Sequence, residues 1–444
     1  MDYFELVKRA EPGKIAIIED GTSYTYGELS RLVFAMAESI LKKHKCNMYI
    51  KNLQGKGVLL IKENSILKQL TAFLACNASG IVPIIVPSDA MKLPEINYVP
   101  ENACMAAMTS GTTVIPKVLY RTYKSWAGFF PVQNRIFGIN GESVLFVHGS
   151  LAFTGNLNLY MAQFYVGGTI VAENKFNPKR WADIIKNKNV NAIYLIPSKL
   201  MLLPSVTKEI NYNIKSVISG SQSLGLSGCR KLKEIFPMAD ITLYYGASEL
   251  NYITYVKDRD MTEDKKLIGK PFPGVKVFIN NGNIYVDSQY HAEGISCPYT
   301  VSDKGYMDKD GRFYFDGRSD DIVLIHGRKV SLINIENGLE SLEEVHEAAV
   351  IFVEENGKQI LAAFIDMEYN FRNNVIANNY NNEKHKAGIY ILKKLASNDK
   401  IFTSLRKRLA HYEMPCKIIV LSEMPHNESG KKDKIKIQGI YQKK

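Results

Sequence analysis

No long apolar run occurs in this chain. Nothing in its 444 residues approaches the ~18 apolar residues that a membrane-spanning helix needs, so no membrane span is expected. The opening stretch, "MDYFELVKRAEPGK", is charged and lacks the apolar core of a signal peptide, which makes a cytoplasmic location the default expectation. Paired cysteines are missing too. Cys46, Cys76, Cys104, Cys229, Cys297 and Cys416 stand far apart and none forms a CxxC pair, which disfavours both a disulfide framework and a zinc site. Most read as small buried hydrophobes.

Segregated charge is scarce. The net charge is +11, but the lysines are spread along the chain without the interleaved aromatics of a nucleic-acid surface, so no nucleic-acid partner is expected. One denser patch closes the chain, with six lysines from Pro425 to Lys444 against Glu428 and Asp433. It reads either as a solvated tail or as a site for a phosphorylated or acidic partner. A Walker A loop is also absent. Counting from Gly111, its second glycine would fall on Pro116, and Val118 follows Lys117 where Ser or Thr is required, which argues against a P-loop kinase.

What is present is ordinary for a soluble globular protein: 46% apolar and 23% charged residues. The length exceeds one hydrophobic core, so two or more domains are expected. Short apolar runs alternate with helical patterns: "GVLLIKE" then "SILKQLTAFLACNAS", "GGTIVAE" then "PKRWADIIKNKN", "IKSVISG" then "LSGCRKLKEIF". That alternation predicts an α/β fold of parallel sheets covered by helices. After about residue 270, "VKVFINNGNIYVDS" and "GRFYFDGR" read as hairpins with turns at Asn280–Gly282 and Lys309–Gly311. Beyond Arg318 a shorter α+β pattern predicts a smaller second domain. The asparagine-rich stretch from Asn370 to Asn382 reads as a polar loop.

The run "MTSGTTVIPKVLYRT" packs Thr109, Ser110, Gly111, Thr112 and Thr113 ahead of Lys117. Four hydroxyls, close backbone N–H groups and a lysine can wrap phosphate oxygens, though an ordinary polar turn has the same composition. The spacing resembles the phosphate loop T-S-G-[ST]-T-G-x-P-K-G of the adenylate-forming, AMP-binding superfamily. That superfamily holds acyl- and aryl-CoA synthetases, peptide-synthetase adenylation domains and luciferase. Other signatures follow in the superfamily's order. "SGSQSL" (Ser219 to Leu224) is similar to its adenine-side loop, "YYGASE" (Tyr244 to Glu249) to Y-G-x-[ST]-E, "VSDKGYMDKDGRFYFDGRSDD" to T-G-D…G-R-x-D, and "PHNESGKKDK" to P-x-N-x-S-G-K-x-D-R.

The resemblance implies a large N-terminal AMP-binding domain over residues 1–319 with a small β-barrel-like part, and a mobile α+β domain over 320–444. It implies ATP-dependent activation of a carboxylic acid as an acyl-adenylate with release of pyrophosphate. Thr109 to Thr113 and Lys117 would cradle phosphates. Gly220, Ser221 and Gln222 would line the adenine, with Tyr244, Tyr245, Gly246 and Ala247 opposite and Tyr245 stacking on the ring. Glu249 would bind Mg²⁺, Ser248 would donate to the α-phosphate, and Lys431 would reach the α-phosphate and the carboxylate. Asp303 and Arg318 would hold the ribose, and Asp320 would be the hinge. Taken singly, Glu249, Asp303 and Lys431 also read as surface charges, Tyr245 as a core tyrosine and Asp320 as a capping aspartate.

Amino-acid-activating relatives carry an aspartate for the ammonium in a segment that here reads "FVHGSLAFTGNLNLY" and holds no acid. The segment is similar to the histidine-containing type of acyl- and aryl-CoA synthetases. That resemblance makes His148 a border of the carboxylate pocket, continued by Ala152, Phe153 and Gly155, and favours a fatty or aromatic acid; a satisfied core histidine is the other reading of His148. The acceptor is then coenzyme A, or the phosphopantetheine of an acyl-carrier protein. A degenerate member that binds nucleotide or acyl ligand without turnover is the alternative of a different class. It draws on three departures: Val114 and Val118 replace glycines, and Val301–Ser302 replaces Thr-Gly. Valine does not take positive φ cheaply.

Overall fold

The computed structural model describes residues 2–44, 51–52, 56–88, 93–108, 117–318, 321–325, 328–355, 358–367, 383–384, 390–396, 399–427 and 432–442. Thr109 to Val114, Asp320 and Lys431 lie outside the described residues. Among the described residues no helix is long and apolar enough to cross a membrane.

Contacts divide the chain into two compact units. The larger comprises Met1–Phe278 and Tyr285–Val301, the smaller Ile279–Ile284 and Ser302–Lys444. The division at 301/302 is a property of packing: beyond it, the Phe313–Arg318 strand lies against the residues that follow. A Cβ on Gly317 would meet Ser331 Oγ at 3.2 Å and Ile333 at 3.8 Å. The hinge expected at Asp320 is a separate matter.

In the larger unit, six strands run parallel in the spatial order Asp240–Ala247, Ser216–Gly220, Ala192–Tyr194, Val144–His148, Thr169–Glu173, Ile15–Glu19. Antiparallel strands Asn251–Lys257 and Thr22–Thr25 flank them. Strands covered on both faces lack the in–out alternation of a half-exposed strand, and Ser216–Gly220 and Thr169–Glu173 are buried at every position. The intervening helices have local start signals. Asn177 caps Pro178–Asn187 with its side chain and places Pro178 in the first turn. Ile66–Ala78 is capped by Ser65, and the Glu19 carboxylate accepts from Ile66 N and Leu67 N at 2.8 and 3.0 Å, which ties the helix to the first strand. A second sheet, Lys51–Asn52, Gly57–Ile61, Val82–Ile85, Met105–Met108, Val118–Arg121, encloses Val58, Val82, Ile84, Val99 and Ala106.

The turn expected near Asn280–Gly282 has φ of 49° at Asn281 and 72° at Gly282, the left-handed pair a two-residue hairpin turn requires. In the smaller unit Asp303–Met307 pairs antiparallel with Phe313–Arg318. A five-stranded sheet follows, in the order Val345–Glu355, Lys358–Met367, Lys417–Leu421, Tyr390–Lys394, Glu383–Lys384. Its strands alternate sides as the period of two demands. Val350, Ala363 and Ile418 face the helix Leu332–Glu340, while Ile351, Phe364 and Ile419 pack with Ile437 and Ile440 of the helix Lys434–Gln442.

Candidate active site

Three of the motif segments cross the carboxyl ends of parallel strands of one sheet: His148 ends Val144–His148, Gly220 ends Ser216–Gly220 and Ala247 ends Asp240–Ala247. Ligands of open α/β sheets bind at that edge, where helix N-termini and loops converge.

Ser248 and Glu249 sit in the turn after Ala247. The turn is fixed from behind by Arg121, whose guanidinium is 2% exposed. It donates to the carbonyls of Ser248 at 2.5 Å, Tyr290 at 2.7 Å and Ser125 at 3.4 Å. Burial pulls this guanidinium down to about 10, opposed by the nearby Tyr3 and Glu249. Ala292 N donates to Glu249 O at 2.8 Å. The Glu249 side chain is half-buried, and Ser248 Oγ lies 3.5 Å from Thr154 Oγ1. An acceptor-only carboxylate on a braced turn suits an oxygen-liganding cation.

Tyr244 and Tyr245 are consecutive in a strand and therefore face opposite sides. Tyr245 is half-buried. Tyr244 is 8% exposed, its hydroxyl lies 2.7 Å from that of Tyr194, and its ring packs edge-on against Tyr252 at 4.5 Å. Burial pushes its phenol up to about 12. The Tyr244 side chain thus belongs to an aromatic cluster in the sheet, on the face opposite that of Tyr245. Gly220 explains the fit: a Cβ there would stand 2.5 Å from Tyr244 Cζ. Gly155 is packed in the same way, since a Cβ would meet Tyr194 Oη at 2.3 Å and Phe153 at 2.9 Å. Ala152, Phe153 and Gly155 surround the start of the helix Thr154–Tyr165.

His148 is 8% exposed. Its ring lies 4.4 Å from Trp181 and 6.1 Å from Phe176, and Lys199 Nζ approaches Nδ1 at 3.0 Å. Burial, then the Lys199 charge, lowers the imidazole to about 3, so the ring is neutral near pH 7. An ammonium can only donate, so Nδ1 accepts and the ring proton sits on Nε2. Burial also lowers Lys199, to about 8. Glu173, the strand neighbour of His148, is engaged by Arg180 Nε at 2.7 Å and by Lys175 N at 2.9 Å. Gln222 accepts from Ser198 N at 3.0 Å, which joins the adenine-side loop to the turn bearing Lys199.

Lys117 is exposed at the end of the phosphate segment, and Met108 pairs with Val118 to close that segment's ends. Val118 is thus extended strand, where its replacement of glycine carries no strain. In the smaller unit, Asp303 (3% exposed) pairs with Arg318 across the hairpin, Oδ1 to Nε 3.4 Å. Ser302 takes φ of 65°, so the left-handed position of the motif's glycine is kept with a serine.

Residues 88–289 match the family model described as AMP-binding enzyme. An uncharacterized acyl–CoA ligase of Bacillus subtilis, YhfT, is 26% identical over 357 residues, covering 76% of this chain and 68% of the relative. The D-alanine–D-alanyl carrier protein ligase of Lactococcus lactis is 21% identical, with 97% and 96% of the two chains covered. Among solved structures, ATP-bound MatB of Rhodopseudomonas palustris superposes with a TM-score of 0.77 at 18% identity, over 99% of this chain and 98% of that one. The O-succinylbenzoate coenzyme A synthetase MenE of Bacillus subtilis, in complex with AMP, gives 0.75 at 18% identity, with coverage of 97% and 96%.

The fold is the adenylate-forming fold, and within it residues 88–289 carry the match to AMP-binding enzymes.

The candidate site holds two cations that the motifs did not flag. Arg121 follows the phosphate segment in "PKVLYRT", and Lys199 sits in "IPSKL". Their only sequence-level signal is a basic residue in apolar surroundings, Arg121 at the end of the strand Val118–Arg121 and Lys199 in the short helix Pro197–Leu200.

Proposed function

We propose that this protein activates a compact carboxylic acid with ATP and transfers the acyl group to the thiol of coenzyme A. In the first step a carboxylate oxygen bonds to the α-phosphorus and pyrophosphate leaves. In the second the thiolate attacks the acyl carbon and AMP leaves, so atoms and charge balance at each stage. The reading is carried by the wall around His148: no acid in Phe146 to Tyr160, a neutral imidazole, and Lys199 Nζ 3.0 Å from that ring. Such a wall accepts an anion and leaves an ammonium without a counter-charge.

A compact acid is supported by Tyr194 and Tyr244, which fill the space beside Gly155 and Gly220. This differs from the provisional name of a Staphylococcus haemolyticus relative, long chain fatty acid-CoA ligase VraA, 26% identical over 75% of this chain and 69% of the relative. Glu249 would hold Mg²⁺, which when bound neutralises phosphate charge. Thr109 to Thr113 and Lys117 would cradle the phosphates, Tyr245 and Gly220 to Gln222 would flank the adenine, and Asp303 with Arg318 would hold the ribose. Lys431 would neutralise charge as carboxylate meets phosphate, on a domain beginning near Asp320. The carrier-ligase relative and the lysine-rich terminus support a carrier-protein thiol as the second reading of the acceptor.

The deciding experiment is carboxylate-dependent pyrophosphate exchange over a panel of short, aromatic and long-chain acids. Exchange with short or aromatic acids supports the reading. Exchange with long-chain acids alone removes the compact pocket, ADP formation indicates a kinase, and no exchange with any acid indicates a non-catalytic binder. Coenzyme A and a phosphopantetheinylated carrier are then compared as acceptors.

A further inference from the structure

The smaller unit carries a set of metal-ligand side chains that acid activation does not use. His346, Glu347 and Asp366 each bring a ligand atom within 4.8 Å of the others. His346 Nδ1 lies 3.9 Å from Asp366 Oδ2. A second histidine joins them, His426 Nε2 standing 3.1 Å from Glu347 Oε1. Glu347 and Asp366 are each 5% exposed. The two histidines are half-buried, which leaves a path from solvent.

Consecutive strand residues ordinarily face opposite sides, so His346 and Glu347 should not converge. A β-bulge brings them together. Val345 pairs with Met367 and Glu347 with Asp366, so His346 is one residue more than the partner strand supplies. Bulges re-aim side chains in this way. His426 arrives from the terminal segment, where it bridges to Lys432, and Asp433 N donates to Pro425 O at 2.8 Å.

We propose that His346, Glu347, Asp366 and His426 form a binding site for a divalent transition ion, zinc foremost. Donors around a tetrahedral zinc, each about 2.0–2.1 Å from the ion, are separated by roughly 3.3 Å, between the two donor spacings found here. Two carboxylates and two neutral imidazoles compensate a dication, leaving no net buried charge. The neighbouring ammonium has other acids as its closest partners, and its charge also reaches Glu347. Lys432 Nζ bonds Glu340 at 2.6 Å and lies 3.6 Å from Glu336, and Lys434 takes Asp321 and Glu336, each at 3.1 Å. A bound ion would fasten the start of the terminal segment, through His426, to the bulged edge of the sheet.

The test uses the full chain, stripped with a chelator and kept reduced, titrated with Zn²⁺ by calorimetry and with Co²⁺ by visible absorption. One equivalent should bind. The cobalt form should show d–d bands of a four-coordinate nitrogen–oxygen site without a thiolate charge-transfer band. His426→Ala and Asp366→Asn should each weaken binding roughly 100-fold or more, since losing a ligand exceeds the 10–100-fold cost of losing an outer partner. Zinc should raise the melting temperature of the parent and not of either variant. Asp366→Asn preserves side-chain volume, which separates ligand loss from misfolding. His411→Ala, at an exposed histidine elsewhere in this unit, should bind as the parent does. Absence of stoichiometric binding, parental affinity in either ligand variant, or a thiolate band removed by Cys416→Ser would each overturn the site.

Discussion

Cations withdrawn from solvent, wholly or in part, are held in opposite ways in the two units. In the larger, Arg121 spends its donors on three backbone carbonyls and Lys199 rests against a neutral imidazole. In the smaller, Lys432 and Lys434 are each matched by carboxylates, Glu336, Glu340 and Asp321. A cation already compensated by carboxylates has little left to offer an arriving anion. One held by carbonyls or a neutral ring keeps its field available, at a cost in stability. Positive charge in this protein is therefore structural where acids surround it and serviceable where they do not.

The sharpest way to break that contrast is the adjacent pair Lys431 and Lys432. Lys432→Met should cost about 4 kcal/mol of stability, because it breaks a buried ion-pair network: Glu340 loses its ammonium at 2.6 Å and Glu336 keeps only that of Lys434. Urea denaturation reads this directly. Lys431→Ala should leave the urea midpoint near the parent's and slow acyl-adenylate formation roughly 10²-fold. It should still convert supplied acyl-adenylate to thioester. If both substitutions act on stability alone, the division between structural and serviceable lysines fails in this segment.

Arg121→Met is the next largest. It removes a charged donor from the Ser248, Tyr290 and Ser125 carbonyls, which burial leaves few alternative partners. The expected loss is about 3 kcal/mol, the scale of unmade hydrogen bonds to a charged group. Adenylation should fall more than the population of folded protein explains, because the turn that positions Glu249 loses its brace. Activity per folded molecule equal to the parent's would reduce Arg121 to a core residue.

These two residues also mark what the sequence could and could not reveal. The strands, the hairpins and the Gly-rich motif ends are local patterns, and period, turn residues and spacing were enough to read them. Arg121 was not legible, because its partner Ser248 lies 127 residues away, and neither was the pairing of Lys199 with His148 across 51 residues. Tyr244 shows a different limit. Strand alternation already requires that Tyr244 and Tyr245 face apart, but a motif assigns whole segments without regard to the face each side chain takes. Val118 shows the reverse: a feared strain vanishes because the chain is already extended there. The bulge at His346 needs the register with Met367 and Asp366, which no local pattern contains.

A pH series sharpens the comparison from the side of the larger unit. The folded state holds His148 at about 3, against an ordinary value near 6.5 in the unfolded chain. Between these values the unfolded chain binds the proton that the folded ring refuses, so stability rises with pH across that window and falls as pH drops from 6.5 toward 3. At pH 5 the penalty is about 2 kcal/mol. His148→Asn should lack this component, so the gap between parent and variant urea midpoints should narrow from pH 7 to pH 5. A gap that stays constant would mean the imidazole is not buried neutral.

The smallest effect concerns backbone strain at the motif ends. Ser221 is exposed and takes φ of 68°, a left-handed conformation that costs an L-residue roughly 1–2 kcal/mol relative to glycine. Replacing it with glycine relieves that cost. Glycine also loosens the unfolded chain, which takes back about 0.4–1 kcal/mol. The balance favours Ser221→Gly by about 0.5 kcal/mol, visible as a small rise in melting temperature. The side chain stands in the adenine-side loop of the proposed site, so stability and nucleotide affinity need not move together. If Ser221→Gly is more stable but binds ATP more weakly, the hydroxyl earns its strained backbone by contact with the nucleotide. If it is more stable and binds equally well, the strain serves only to aim the chain from Gly220 toward Gln222. A variant less stable than the parent would show that the serine side chain supports the turn by more than its conformation costs.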